Sequence, residues 1–350
     1  MSERDVLIDR LSESPLPDAR DLVRLLSLSR DEAQALFQRA DDVRRTACGD
    51  GILLRALVEF SNRCSRRCFY CGLHKERAAL KRYQMTSEEI RACVAQVADK
   101  GIKTVVLQSG EDDALDAEWL ADVIASLKSC YDIAVTLSCG EKSEEVYDLW
   151  RRAGADRYLL KIETSNPALY KKMHPDMSLE NRVYCLRVLR DLGYQVGSGS
   201  LVGLKGQSLE DLAADIIFFK VHDFDMLGIG PFIPHPQTPH AACRQGDILL
   251  TLKMLALTRI MTRNPHMPAT TAIGSVEEGR DHRLSALKAG ANVVMPNFTP
   301  AAYRPLYEIY PHKRCLSEQP GACVPCLEGM AGELGRFLDY GRGDSIRSCS

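Results

Sequence analysis

The sequence predicts an α/β fold, a complete (β/α)8 TIM-type barrel, on three observations. From Leu54 onward, short apolar runs alternate with amphipathic helical patterns, and no hairpin signal joins one run to the next. Such alternation needs parallel strands joined by helical crossovers. Eight such units spread over about 240 residues fit a closed barrel, with a doubly wound open sheet as the alternative. The barrel then occupies residues 48–300, behind an N-terminal helical extension (1–47) and ahead of an irregular C-terminal segment (301–350).

In the extension, "SPLPDARDLVRLLSL" and "SRDEAQALFQRADDVRRTAC" place apolar residues three and four apart, as helices do. The eight strands are read at 55–60, 103–109, 133–138, 157–162, 195–203, 226–232, 267–273 and 291–296. Between them "TSEEIRACVAQVADKG", "SLENRVYCLRVLRDLG" and "SLEDLAADIIFFKVH" open on Ser or Thr, the residues that cap helix N-termini. From about Pro300, Pro, Cys and Gly mix irregularly, and the tail "GRGDSIRSCS" reads as loose.

Composition removes several function classes. With 45% hydrophobic and 26% charged residues and a net charge of −2, the chain has no basic bias toward nucleic acid. No apolar run approaches the roughly 18 residues needed to cross a bilayer, and the charged N-terminus lacks a signal-peptide core. A cytoplasmic protein is expected, with neither membrane nor nucleic acid as partner. Thirteen cysteines in a reducing compartment are then clustered ligands or scattered small hydrophobes rather than disulfides.

The chemistry concentrates in "EFSNRCSRRCFYCG", where Cys64, Cys68 and Cys71 follow the first strand directly. That loop lies at the C-terminal face of a barrel, where active sites are built. Closely spaced thiolates select zinc or an iron–sulfur cluster. Zinc needs a fourth ligand, for which His74 is the local candidate. A cubane cluster on three cysteines keeps one iron open for a small molecule bearing an amine and a carboxylate. The C-x3-C-x2-C spacing, with Tyr70 before the last cysteine, is the signature of radical S-adenosylmethionine (SAM) enzymes, in which a [4Fe–4S] cluster binds and cleaves SAM.

The other strand ends carry polar groups that converge on the same face. "LQSGED" offers Ser109 and Glu111, with Gly110 permitting close backbone approach. "TLSCGE" offers Thr136, Ser138 and Glu141, and alternation along "LLKIETSNP" turns Lys161 and Glu163 toward the mouth. Thr270, Thr271 and Met295 end the last two strands, and Arg157 and Arg182 are candidates to grip a carboxylate bidentately. A second group, Cys315, Cys323 and Cys326 in "CLSEQPGACVPC", fits an auxiliary [2Fe–2S] or [4Fe–4S] cluster, or zinc completed by His312.

Taken together, "EFSNRCSRRCFYCGLHKERAALKRYQMTSEEI", "TVVLQSGED", "GADRYLLKIETSNPALY", "GSGSLVGLKGQS", "HDFDMLGIGPFIPHPQTP" and "NVVMPNFTP" resemble the HydE family of radical SAM [FeFe]-hydrogenase maturases. Biotin synthase and methylornithine synthase are the nearest alternatives. The resemblance implies a cluster on Cys64, Cys68 and Cys71, with Ser109, Thr136, Glu163 and Arg182 around SAM. It places Arg157, Thr270, Thr271 and Met295 along a deeper substrate cavity, and Cys315, Cys323 and Cys326 at a C-terminal cluster. It implies an iron-bound cysteine or thiolate substrate, a reductant protein, and HydG and HydF as fellow maturases in assembly of the H-cluster diiron subcluster. Where some members carry Arg-His, this chain has Lys161-Ile162 before Glu163, keeping the charge but losing bidentate geometry.

Overall fold

A computed structural model describes residues 3–14, 16–277, 280–314, 316 and 318–346. Its strands are β1 (Gly51–Leu54), β2 (Ala56–Ser61), β3 (Thr104–Ser109), β4 (Ala134–Ser138), β5 (Arg157–Leu159), β6 (Gln195–Ser198), β7 (Leu201–Val202), β8 (Met226–Leu227), β9 (Gly230–Pro231), β10 (Val293–Val294) and β11 (Phe337–Asp339). Six of them form one parallel sheet in the order β2-β3-β4-β5-β6-β8. Parallel bridges Met226–His266 and Pro268–Val293 carry the pairing on to β10, and β10 pairs with β1, which runs into β2. The parallel pairings thus return to their start, as a barrel requires.

The helical crossovers begin where the sequence caps them. Thr86 and Ser208 each make a capping box, with Glu89 and Asp211 respectively, while Asp116, Asn166, Ser178 and Asp247 cap with a side-chain oxygen. The expected strand over 267–273 is corrected: only His266 and Pro268 pair, and Thr271–Ser275 is helical behind a Thr270 N-cap. The N-terminal helices Ala19–Leu26 and Ala33–Cys48 pack on helices Leu209–His222 and Ile248–Thr262. That cover is why every residue from Thr251 to Thr262 is buried, a helix apolar or enclosed on all sides.

The tail is not loose up to Ile346. It closes the N-terminal end of the barrel: Arg342 O accepts from Thr104 Oγ1 (2.8 Å) and Arg157 Nη2 (2.6 Å), and Gly343 O accepts from Arg55 Nη2 (3.1 Å). Asp344 pairs with Arg157 at 2.7 Å, its carbonyl meets His266 Nε2 at 3.0 Å, and Ser345 Oγ donates to Asp225. The Arg342-Gly343-Asp344 tripeptide is therefore a structural plug. Among the described residues, no helix is long and apolar enough to cross a membrane.

Candidate active site

At the opposite end, the strand termini enclose a cavity of about 320 Å³. The three cysteines of the first βα loop form part of its wall and are half-buried. The loop folds back on itself, with Cys71 N–H bonded to Cys68 O (3.4 Å) and Leu73 N–H directed at Cys71 Sγ (3.5 Å). Gly110 lets it approach: a Cβ there would fall 2.2 Å from Arg63 O and 2.9 Å from Cys64 Cβ. Burial raises all three thiols, with Cys71 pushed up to about 12 and Cys68 raised further by Cys71 and Cys64 beside it. Such thiols ionise when a metal takes the proton's place, so loading releases protons.

The donor set fits a multi-iron cluster. Three cysteine sulfurs share one wall of the cavity, and closely spaced cysteine thiolates are the ligands that iron–sulfur clusters take. His74, the candidate fourth ligand for zinc, does not line the cavity with the three cysteines; its Nε2 meets Gln237 O at 2.9 Å.

Around the cysteines runs a chain of paired charges. Glu111 accepts from Arg66 Nε (2.7 Å) on one oxygen and Arg182 Nη2 (3.2 Å) on the other. Arg182 Nε gives its hydrogen to Tyr170 Oη (3.2 Å) and also lies 2.8 Å from Glu141 Oε1 as an ion pair. Burial opposes the charge on Arg182, but Glu111, Tyr170 and Glu141 outweigh it and hold the guanidinium firmly protonated. Burial likewise lifts the Glu141 carboxyl, with Arg182 pulling the other way. Gly140, at φ 75°, makes room for Glu111, since a Cβ would sit 2.1 Å from its Cγ. Lys161 Nζ pairs with Glu163 Oε2 at 2.9 Å.

The cavity brings together Cys64, Cys68, Cys71, Ser109, Gly110, Glu111, Ser138, Lys161, Glu163, Arg182, Thr270 and Thr271. It does not bring in Thr136, Arg157 or Met295, and Cys323 and Cys326 of the second cysteine group lie outside it. Thr136 is buried two residues deeper than Ser138, with its Oγ1 unpartnered by any described group. Arg157 lies at the far end, held by Gln195, Thr104 and Asp344. Met295 is half-buried just past β10 and does not line the cavity. Cys323 is buried at the N-cap of helix Val324–Glu333 and Cys326 is exposed on it, while Cys315 lies outside the described residues. Sequence reading missed Gln108, His174, Tyr307 and Tyr310, which also line the cavity. Gln108 sits in the "LQSGED" run that flagged its neighbours, whereas the tyrosines come from the irregular segment, which has no periodic signal.

Barrel and cysteine loop together define a radical SAM enzyme, and the Radical SAM superfamily model matches residues 58–219. The chain is 51% identical over 303 residues to the [FeFe] hydrogenase maturase subunit HydE of Thermotoga maritima, covering 87% of this chain and 86% of that relative. It belongs to the HydE family. The crystal structure of methylornithine synthase (PylB) superposes with a TM-score of 0.82 at 25% identity, over 95% of this chain and 97% of that one. The maturase HydG shares the fold, with a TM-score of 0.80 at 18% identity over 97% of this chain and 76% of that one.

Proposed function

We propose that the chain acts in [FeFe]-hydrogenase maturation, by reductive cleavage of SAM at a [4Fe–4S] cluster held by Cys64, Cys68 and Cys71. The observation that carries this reading is a three-cysteine wall in a cavity that also carries the paired charges of Arg66, Glu111, Arg182, Lys161 and Glu163, in a chain half identical to a hydrogenase maturase. When bound, the cluster and SAM together supply a 5′-deoxyadenosyl radical. The protein's own work is placement. Ser109, Glu111, Ser138, Glu163 and Arg182 hold the polar ends of SAM, while Thr270, Thr271 and Lys161 face a small iron-bound cysteine or thiolate substrate. Tyr307 and Tyr310 close the cavity side and exclude water, which protects a radical from quenching.

HydG and HydF are the fellow maturases in this reading, a reductant protein supplies the electron, and the setting is the cytoplasm. Cys315, Cys323 and Cys326 hold a second iron–sulfur cluster in the same reading, supported by motif alone. The test is anaerobic reconstitution with iron and sulfide. The wild type should form 5′-deoxyadenosine from SAM and, with the other maturases, activate apo-hydrogenase. Cys68→Ala should do neither. SAM cleavage without hydrogenase activation would move the assignment to another substrate class, of the methylornithine synthase kind. Residual iron in a C64A/C68A/C71A variant reports the second cluster.

A further inference from the structure

The turn that brings Glu163 to the cavity is fastened from outside the barrel. Glu163 is one of few non-glycine residues with positive φ, at 60°, a left-handed conformation that side chains disfavour. Its N–H donates to Gly199 O and its carbonyl accepts from Leu201 N–H, both at 3.0 Å. Two residues on, Ser165 gives both its backbone N–H and its Oγ–H to Oδ1 of Asp215, each at 2.6 Å. Asn166 donates from Nδ2 to Asp211 Oδ1 at 2.7 Å, and its own Oδ1 caps helix Pro167–Met173. Asp211 and Asp215 lie one turn apart on helix Leu209–His222, so one face of that helix grips two consecutive residues of the turn.

Asp215 is fully buried, and its Oδ2 accepts no hydrogen bond from any described group. A carboxylate in that setting is costly to fold around unless its bonds do something specific. We propose that Asp215 is a positioning residue for Glu163: its two bonds to Ser165 hold the 163–166 turn in the strained conformation that keeps Glu163 on the cavity wall. This rests on the reading in which that cavity takes SAM.

A second property follows. Burial raises the Asp215 carboxyl to about 7, Ser165's two bonds pull it down, and the charges acting on it, Asp211 on its own helix and Glu163 on the turn, both raise it. Because Ser165's bonds favour the ionised form, ionisation and closure of the turn reinforce each other. SAM affinity should therefore rise with pH through about 7.

The experiment compares wild type, D215A, D215N, E163A and E163A/D215A as reconstituted enzymes. Asp215→Ala should weaken SAM binding on the order of 10- to 100-fold, as misplacement of a contact does, with iron content unchanged. Adding it to Glu163→Ala should cost nothing further, since both act through one side chain. Hydrogen exchange of the 162–166 amides, measured without SAM, should speed up in D215A while the barrel strands keep their protection. Asp215→Asn keeps an acceptor for Ser165 and should lose the pH step. Wild-type affinity in D215A, effects that add to E163A, or unchanged exchange would each overturn the assignment. If D215A fails to fold, a pH step that persists in D215N overturns it. If the wild type cleaves no SAM, the functional reading falls, and the exchange measurement still decides the role of Asp215.

Discussion

Lys313 and Glu59 form an ion pair that both residues bury, at 4% and 1% side-chain exposure. Glu59 stands on β2 just below the cysteine loop, and Lys313 belongs to the segment that supplies Tyr307 and Tyr310 to the cavity. Besides Glu59, Lys313 Nζ lies 3.4 Å from Tyr307 O and 5.1 Å from the Tyr307 ring centroid. Replacing Lys313 by Met keeps the aliphatic stem and removes the charge. Glu59 is then left in the barrel with Asn297 Nδ2, at 3.1 Å, as its remaining side-chain donor. Stranding one member of a buried pair costs about 3–5 kcal/mol. Unfolding entropy near 2.1 cal/mol/K per residue, over 350 residues, makes that a drop of about 4–7 °C in Tm if unfolding is two-state. Adding Glu59→Gln removes the stranded charge but keeps the Asn297 partner, so the double variant should recover to within about 1 kcal/mol of wild type. Urea titration and thermal unfolding by circular dichroism measure both. If K313M alone lies within about 1 kcal/mol of wild type, or if E59Q deepens its loss, the pair is not what holds this segment down.

Gly110→Ala should lower both iron content and SAM cleavage, because the added carbon meets Arg63 O and the Cys64 side chain; relieving it costs about 1–3 kcal/mol, borne by the cysteine loop. Full iron loading in G110A would refute that. Asp344→Ala removes the carboxylate paired with buried Arg157; because Asp344 is half in water, the expected loss is about 1–3 kcal/mol, with SAM cleavage unchanged. Stability against pH should depend on three buried groups of opposite sign. Burial lowers His174 and His266 from 6.5 to about 3, so each makes stability fall as pH drops through that window. Burial raises Asp215 from 3.8 to about 7, so it makes stability fall as pH rises over that range. Asp215→Asn removes only the second effect, and its stability should fall with acid about 1.4 kcal/mol per pH unit more steeply than wild type between pH 4 and 6.5. Equal slopes in urea titrations would refute the assignment.

The cysteine loop was legible because one short segment carries both its chemistry and its place after a strand. Strand ends were legible for the same reason: Ser109, Ser138 and Glu163 lie within a residue or two of a turn. Depth was not. Arg157, Leu159 and Lys161 alternate onto one face of their strand, so periodicity gives Arg157 and Lys161 the same direction. They are four residues apart, about 13 Å along a strand, which puts one at the plug and the other at the cavity. Thr136 fails in the same way, one alternation below Ser138. The tail's role was hidden because its bonds run from Arg342, Gly343 and Asp344 to partners roughly 80 to 290 positions away, which no local pattern encodes.

The charges of the cavity say what sort of ligand it can take. Arg66, Lys161 and Arg182 line it, and each already lies within 3.2 Å of Glu111, Glu141 or Glu163. A simple anion would find every cation engaged, and a simple cation would find every carboxylate engaged. Either would have to break a pair in a partly desolvated setting, where the stranded partner is the expensive product. A ligand that carries an ammonium, a carboxylate and a sulfonium within a few bonds can instead exchange partners two at a time, leaving no buried charge alone. SAM has that pattern, and in the proposed reading the three adjacent thiols would hold the iron that its amine and carboxylate reach. Mutating one member of such a wall should therefore disturb its partner as much as the ligand, which is why paired variants, not single ones, separate binding from repair of the wall.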